Sequence, residues 1–240
     1  MRRRVPAAAG PRKGSLAPGR AHEAPLPDWL KARILHMDAE VLVLDKPTGL
    51  AVSARSGPSL DAWLPALRLG KRRDPQPAHR LDADTAGCLV LGRTAPMLAR
   101  LHGLFAERRV EKLYWAVVRG APKAEAGVIE APLRKVSSAA RGWRMETHDA
   151  GDPARTAWRV LGRGSGLALL ELRPETGRTH QLRVHCAHLG TPILGDAMYG
   201  GGSGPLHLLA RQVGLPDLSI SVVAPVPEHM RPAVDGLSAP

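Results

Sequence analysis

Glycine and proline punctuate this chain so densely, at 25 and 22 of 240 residues, that few segments are long enough for extended regular structure. Each proline removes a backbone donor and each glycine adds freedom, so regular elements stop there. What remains reads as short strands with a few helices. A buried strand is predicted over 41–45, running into the turn Lys46-Pro47-Thr48-Gly49. Further strands are predicted over 114–118, 158–161, 167–172 and 181–185. Helical spacing occurs over 60–69 and over 95–107, the second carrying Met97, Leu98, Leu101, Leu104 and Phe105 on one face. Strands outnumber helices and no β-α alternation or internal repeat appears, so the expected class is α+β with a mixed or antiparallel sheet and flanking helices.

Composition limits the function classes. Hydrophobic residues make up 44%, yet no apolar run approaches the ~18 residues of a membrane span, so a soluble protein without membrane contact is expected. The two cysteines, Cys88 and Cys186, have no metal or redox spacing, which fits free thiols in a reducing compartment and a cytoplasmic location. The net charge of +12 points to a polyanionic partner. Six of those twelve charges fall in the first 22 residues, before the first acid, Glu23. Residues 1–28 are therefore read as a disordered basic arm that adds weak phosphate binding. A mitochondrial transit peptide is the alternative, although its prolines and glycines spoil an amphipathic helix. A catalytic domain is expected over 29–230 and a tail over 231–240. Nothing resembles a coiled-coil seam, so a monomer is expected.

Three long boxes carry the chemistry. The first, His79-Arg80-Leu81-Asp82-Ala83-Asp84-Thr85-Ala86-Gly87, sets a carboxylate behind a basic pair and ahead of an apolar strand. Neighbouring cations hold such a carboxylate ionised, ready to act as a nucleophile or base. The second runs Glu175-Thr176-Gly177-Arg178-Thr179-His180-Gln181-Leu182-Arg183-Val184-His185. The third runs from Phe105 to Gly120 and includes Lys112, Tyr114, Ala116 and Val118. Together they resemble the boxes of the RluA-type RNA pseudouridine synthases. Lys46 to Leu50, Gly195 to Gly200, Leu206-His207 and Ala224 to Pro227 extend the resemblance over residues 34–230.

The resemblance implies a long bent sheet with helices on its outer faces and an RNA-binding cleft across it, without room for an N-terminal S4 module. It also implies isomerisation of uridine to pseudouridine in ribosomal or transfer RNA, with no cofactor because no redox change or external group is needed. Asp82 matches the family's catalytic aspartate, acting on C1′ or C2′ of a flipped-out nucleotide. Arg183 matches the arginine expected to pair with it, Tyr114 the tyrosine expected to stack on the uracil, and Leu206 the apolar residue expected to close its pocket. Arg80 is expected to fill the space the flipped base leaves. His79, Arg178, His180, Gln181 and Lys46 are expected at RNA phosphates and sugars. Asp84 is read as a solvated loop acid. Ala86, Ala83 and Val52-Ser53-Ala54 depart from the family pattern without removing chemistry.

Two other classes stay open. One is a catalytically silent RNA-binding or ribosome-assembly protein on the same scaffold, against which Asp82, Tyr114 and Arg183 all stand intact. The other is a metal-dependent hydrolase, suggested by His180, His185, Cys186 and His188 within nine residues. If 181–185 is a strand, His185 and Cys186 point to opposite faces, and the motif accounts for His180 and His185 without metal.

Overall fold

Val41-Leu42-Val43-Leu44 is a continuous apolar run, so a strand built from it needs cover on both faces. The computed structural model, which describes residues 26–54, 57, 59–138 and 142–237, supplies that cover. Helix α1 (Asp28–Lys31) leads into β1 (Ile34–Met37) and β2 (Val41–Lys46), followed by β3 (Gln76–Pro77), β4 (Ala86–Gly92) and helix α2 (Ala95–Ala106). Alternate residues of β2 and β4 face opposite ways. Val41, Val43, Cys88 and Val90 meet Met97, Leu101 and Leu104 of α2. Leu42, Leu44, Leu89 and Leu91 meet Leu30, Leu60, Leu64 and Leu67.

The chain continues through β5 (Glu111–Arg119), β6 (Ala126–Glu130), β7 (Leu133–Ser138), β8 (Gly142–Thr147), β9 (Arg155–Gly164) and β10 (Leu167–Pro174). Helix α3 (Gln181–His188), β11 (Leu208–Leu215), β12 (Ile220–Val223) and helix α4 (Arg231–Asp235) complete it. The main sheet has ten strands in the order β1-β2-β4-β11-β5-β10-β9-β6, with β3 beside β4 and β12 beside β11. β7 and β8 form a separate hairpin. Among the described strands all pairings are antiparallel except the short β4–β11 contact, so the class is α+β with a mixed sheet, as the sequence suggests.

β11 joins the two halves of the sheet. One edge pairs with β5, with an irregularity between Ala210 and Gln212. The other edge takes β4 at Leu209 and Ala210, then changes partner to β12 from Gln212 onward. This switch leaves the start of β4 and the middle of β5 facing one opening, and Asp82 enters just before β4. Gly87 makes the switch possible. Its φ is +104°, and a Cβ there would collide with the Ala210 carbonyl oxygen, which explains why the Asp82 box ends in glycine.

Several expectations change in the structure. The helix expected over 60–69 is two 3-10 turns, Leu60–Trp63 and Pro65–Arg68. Pro65 lacks the donor a continuous helix would use there, and Leu69 ends the segment in the left-handed region at φ 47°. The strand expected over 181–185 is the start of α3. Gln181, Arg183 and His185 alternate with Leu182 and Val184, which imitates a strand pattern, yet all five are buried. Hydrogen bonding and ion pairing make burial of these polar members possible, so alternation no longer reports an exposed face. The expected tail at 231–240 starts with α4, and Ala233, Val234 and Leu237 pack on the core. Residues 1–25 of the expected basic arm lie outside the described residues, whereas Leu26 already packs against the Leu42 cluster.

Candidate active site

The Asp82 loop is held from beneath by Lys46. This side chain is buried at the end of β2, and its ammonium donates to the carbonyls of Pro47 at 2.9 Å, Leu50 at 2.7 Å and Ala83 at 2.8 Å. Burial pulls its pKa down to about 8, opposed by the charges of Asp84, Asp82 and Asp45. All three ammonium protons are engaged inside the protein, so the expected RNA contact for Lys46 becomes a support for the loop carrying Asp82. Thr48 adds a second tie through its hydroxyl, which donates to the Asp84 carbonyl at 2.8 Å. Thr85 N–H donates to the Asp82 carbonyl at 3.1 Å, closing the turn that aims the carboxylate away from β4.

His79 also turns inward. Its Nε2 accepts the Val90 N–H at 3.0 Å, and its ring stacks on Phe105 with centroids 4.6 Å apart. Burial, helped by the charge of Lys112, pushes its pKa down to about 4, so the ring is neutral at physiological pH. The expected phosphate contact is replaced by anchorage of the loop to β4. Arg80, by contrast, is exposed. Among the described residues its side chain has no hydrogen-bond or ion-pair partner.

Opposite this loop stands the start of α3. Gln181 donates to the Arg155 carbonyl and Thr156 hydroxyl, both at 3.0 Å, and accepts from the Thr176 hydroxyl at 2.7 Å and Arg178 N–H at 3.0 Å. These four bonds shape the Thr176-Gly177-Arg178 loop and commit the Gln181 amide to the interior, away from the RNA contact expected of it. Arg178 stays on the rim, 40% exposed, donating to the Pro153 carbonyl at 3.2 Å and lying 3.8 Å from the Asp152 carboxylate. His180 has a left-handed backbone, φ 54°. Its Nε2 lies 3.9 Å from the Asp82 carboxylate, and its Nδ1 is 2.9 Å from the Tyr199 hydroxyl. Burial lowers its pKa, with the Asp82 charge opposing.

The sequence resemblance leads one to expect Arg183 beside Asp82, but both guanidinium hydrogen bonds go elsewhere. Nε and Nη2 donate to the two carboxylate oxygens of Asp196, each at 2.8 Å. Asp196 also accepts from the N–H groups of Met198 and Tyr199, both at 3.0 Å. Burial pushes the Asp196 carboxyl up, but the hydrogen bonds and charge of Arg183 outweigh it and hold the group below the usual range. Such a two-pronged buried pair fixes the guanidinium plane, and the charge of Asp82 still acts on Arg183. Arg183 is thus held within the field of Asp82 by a second acid.

Two hollows meet at Asp82, Arg80, His180 and Arg183. The first, about 500 Å³, has Tyr114 on its wall and runs toward Phe105, Arg108 and Lys112 at the end of α2. Tyr114 sits mid-sheet between Ala210 and Leu172. Burial and the nearby Asp82 charge push its phenol well above the usual range. The second hollow, about 670 Å³, is bounded by Val52, Trp143, Met198 and the buried Leu206. Trp143, at the start of β8, stacks on His180 at 5.2 Å, while Tyr199 accepts the Met145 N–H at 3.0 Å. The β7–β8 hairpin is therefore fastened to the site.

Asp82, Arg183, Tyr114, Leu206, Arg80, His180 and Arg178 thus border one opening. Sequence reasoning assigned no role to Asp196, Tyr199, Trp143, Arg108 or Lys112. The run Gly195 to Gly200 was legible as a motif containing Asp196, but its pairing with Arg183, 13 positions earlier, was not. The histidine-rich segment does not form a metal cluster. His185 faces the Thr156 hydroxyl at 2.9 Å and the Ala131 carbonyl at 3.0 Å, and among the described residues no three His, Cys, Asp or Glu side chains converge.

A mixed sheet opened at β11, with the Asp82 carboxylate where two box segments meet, defines a pseudouridine synthase scaffold. Residues 40–188 match the family described as RNA pseudouridylate synthase, and the chain belongs to that family of isomerases. It is 48% identical over 174 residues to an uncharacterized RNA pseudouridine synthase of Zymomonas mobilis, covering 71% of this chain and 80% of the relative. It is 39% identical to the ribosomal large subunit pseudouridine synthase C of Vibrio cholerae, over 70% of this chain and 52% of that one. It is 41% identical to the mitochondrial RNA pseudouridine synthase 4 of Arabidopsis thaliana, of which it covers 40%. The solved structure of human RNA Pseudouridylate Synthase Domain Containing 4 superposes with a TM-score of 0.77 at 30% identity, over 88% of this chain and 96% of that one.

Proposed function

We propose that this chain isomerises uridine in structured RNA with Asp82 as the reacting group. The observation that carries this reading is the position of the Asp82 carboxylate, open at the junction of two hollows, 3.9 Å from His180 and within the field of Arg183. The N1–C1′ bond breaks, the uracil turns, C5 joins C1′, and the C5 proton is lost while N1 gains one. Atoms and electrons balance without a co-reactant. Asp82 supplies the carboxylate, attacking C1′ or taking the C2′ proton. The raised pKa of Tyr114 keeps its phenol protonated, so it serves as a stacking wall and hydrogen-bond donor rather than a base. Leu206 borders the second hollow and gives the detached ring apolar cover. Arg80, unpartnered among the described residues, is suited to enter the space left by the flipped base.

The name of the Vibrio cholerae relative favours ribosomal RNA of the large subunit as the first substrate class to test, with transfer RNA as the second. The protein is proposed to act as a monomer in the cytoplasm, where buried Cys88 and Cys186 stay reduced. Light scattering after gel filtration and cell fractionation test those two points. The activity itself is tested by tritium release from bulk ribosomal and transfer RNA labelled at uracil C5. Release by wild type and none by Asp82→Asn supports the reading. Equal release by both proteins would remove Asp82 from the mechanism, and RNA binding without release from either pool would favour the silent RNA-binding alternative.

A further inference from the structure

The first hollow extends past the Asp82 junction to a place the isomerisation does not use. At its far end lie Arg108 and Lys112, and among the described residues neither side chain has a hydrogen-bond or ion-pair partner. Lys112 is half-buried, and the one charged neighbour that shifts its pKa is Arg108, another cation. Two adjacent cations that line a cavity with no acid paired to either among the described residues are unfavourable until an anion arrives.

The backbone points the same way. α2 ends in a Schellman motif, in which Arg108 N–H donates to the Phe105 carbonyl at 3.3 Å and Arg109 N–H to the Leu104 carbonyl at 2.9 Å. Arg108 occupies the left-handed position of that motif, φ 59°, where glycine is the unstrained choice. A cation beyond a helix C-terminus is favoured by the dipole, but the neighbouring Arg109 supplies that and is tied to Glu107 and Asp217. Arg108 therefore accepts backbone strain without a side-chain hydrogen bond or ion pair in return among the described residues, which is characteristic of residues kept for a ligand.

We infer that Arg108 and Lys112 form a phosphate clamp, seating a backbone phosphate of the RNA strand that carries the target uridine in the hollow leading to Asp82. This rests on the RNA reading above and extends it by naming the group that the α2 end of the cleft binds. Asp82 is the carboxylate at one end of the hollow, and Lys112 and Arg108 are the cations at the other. A polynucleotide passing through meets both, with the flipped nucleoside at the first and a flanking phosphate at the second.

The strain makes the test two-sided. Arg108→Gly relieves the left-handed strain and should raise Tm by roughly 2–4 °C, so weaker binding by this variant cannot be ascribed to poor folding. Using bulk ribosomal RNA in equilibrium filter binding over about 50 to 200 mM salt, Arg108→Gly and Lys112→Gln should each flatten the log–log salt slope, and the double variant by roughly 0.7–0.9, the share of one phosphate. In tritium release they should raise KM several-fold with kcat unchanged at saturating RNA. Lys123→Gln, an exposed lysine outside both hollows, is the charge-matched control, and its effect should be clearly smaller. A more stable Arg108→Gly protein with wild-type affinity and salt slope would overturn the clamp, as would equal losses in Lys123→Gln. Absence of tritium release in wild type would instead count against the catalytic reading, while the salt slopes would still decide the clamp.

Discussion

The two hollows that share Asp82 differ in chemistry although they meet at one junction. The one toward α2 is lined by Arg108 and Lys112, cations without hydrogen-bond or ion-pair partners among the described residues, whereas the one beneath the β7–β8 hairpin is faced by Trp143, Met198 and Leu206. A polynucleotide offers two kinds of surface to match them, charged phosphates and apolar base faces. The Asp82 carboxylate stands where the two hollows meet, which in the proposed reading is where the sugar lies. The division also explains why Arg183 and His180 belong to both hollows, since each must leave Asp82 accessible from either side.

The largest effect should come from the junction itself. Asp82→Asn keeps the shape and removes the reactive oxygen, so turnover should fall by about 10⁴-fold or more, the scale seen when a nucleophile is removed. RNA affinity should stay close to wild type, as binding curves beside single-turnover tritium release would register. Next is the acid that orients Arg183. Asp196→Ala leaves a guanidinium buried without its partner, which should destabilise the fold by about 3–5 kcal/mol and lower kcat by about 10²-fold. Denaturant melts and kcat would both move if the pair sets the geometry of the site. A loss of stability with full kcat would reduce Asp196 to a structural role.

The comparison sharpens when each hollow is altered alone. Trp143→Ala removes an apolar wall and the cover of His180 but no charge. It should raise KM by roughly 5- to 150-fold if a base stacks there, the range of one base–aromatic contact, and the loss should be the same at low and high salt. Changes at Arg108 or Lys112 should weaken binding in the opposite manner, strongly at low salt and little at high salt. Identical salt profiles for the two hollows would erase the distinction between them.

How much of this was legible in the sequence follows from how local each feature is. The Asp82 box reads directly because the carboxylate, the turn and the glycine that lets β4 approach β11 are consecutive residues. The α+β class and most strands follow from apolar runs that end at glycine and proline. Motif resemblance does not separate residues that touch RNA from those that hold the ones that do, and Lys46, His79 and Gln181 prove to be of the second kind. The partner of Arg183 depends on a loop returning from Asp196, which no local pattern encodes. The left-handed backbone of Arg108 escapes sequence reading because an arginine at that position gives no hint of glycine-like geometry. α3 was misread because a helix buried on most sides and partnered at its polar positions loses its 3.6-residue signature.

The smallest predicted effect probes the back wall of the cationic hollow through pH. His79 titrates at about 4 in the folded protein against a usual value near 6.5. Above pH ~6.5 the ring is neutral folded or unfolded and contributes no pH dependence. As pH falls from ~6.5 to ~4 the unfolded chain binds a proton that the folded chain does not, so stability declines, reaching a loss of at most about 3 kcal/mol below the folded pKa. Denaturant unfolding measured across that window should therefore slope more steeply in wild type than in His79→Gln, whose amide oxygen can still accept the Val90 N–H. Lys112→Gln should produce a smaller flattening, because the lysine charge is the second cause of the depressed His79 pKa, after burial. Parallel slopes for wild type and Lys112→Gln would mean that the cation and the imidazole do not sense one another, and the cationic hollow would then end at Arg108 without reaching the wall behind Asp82.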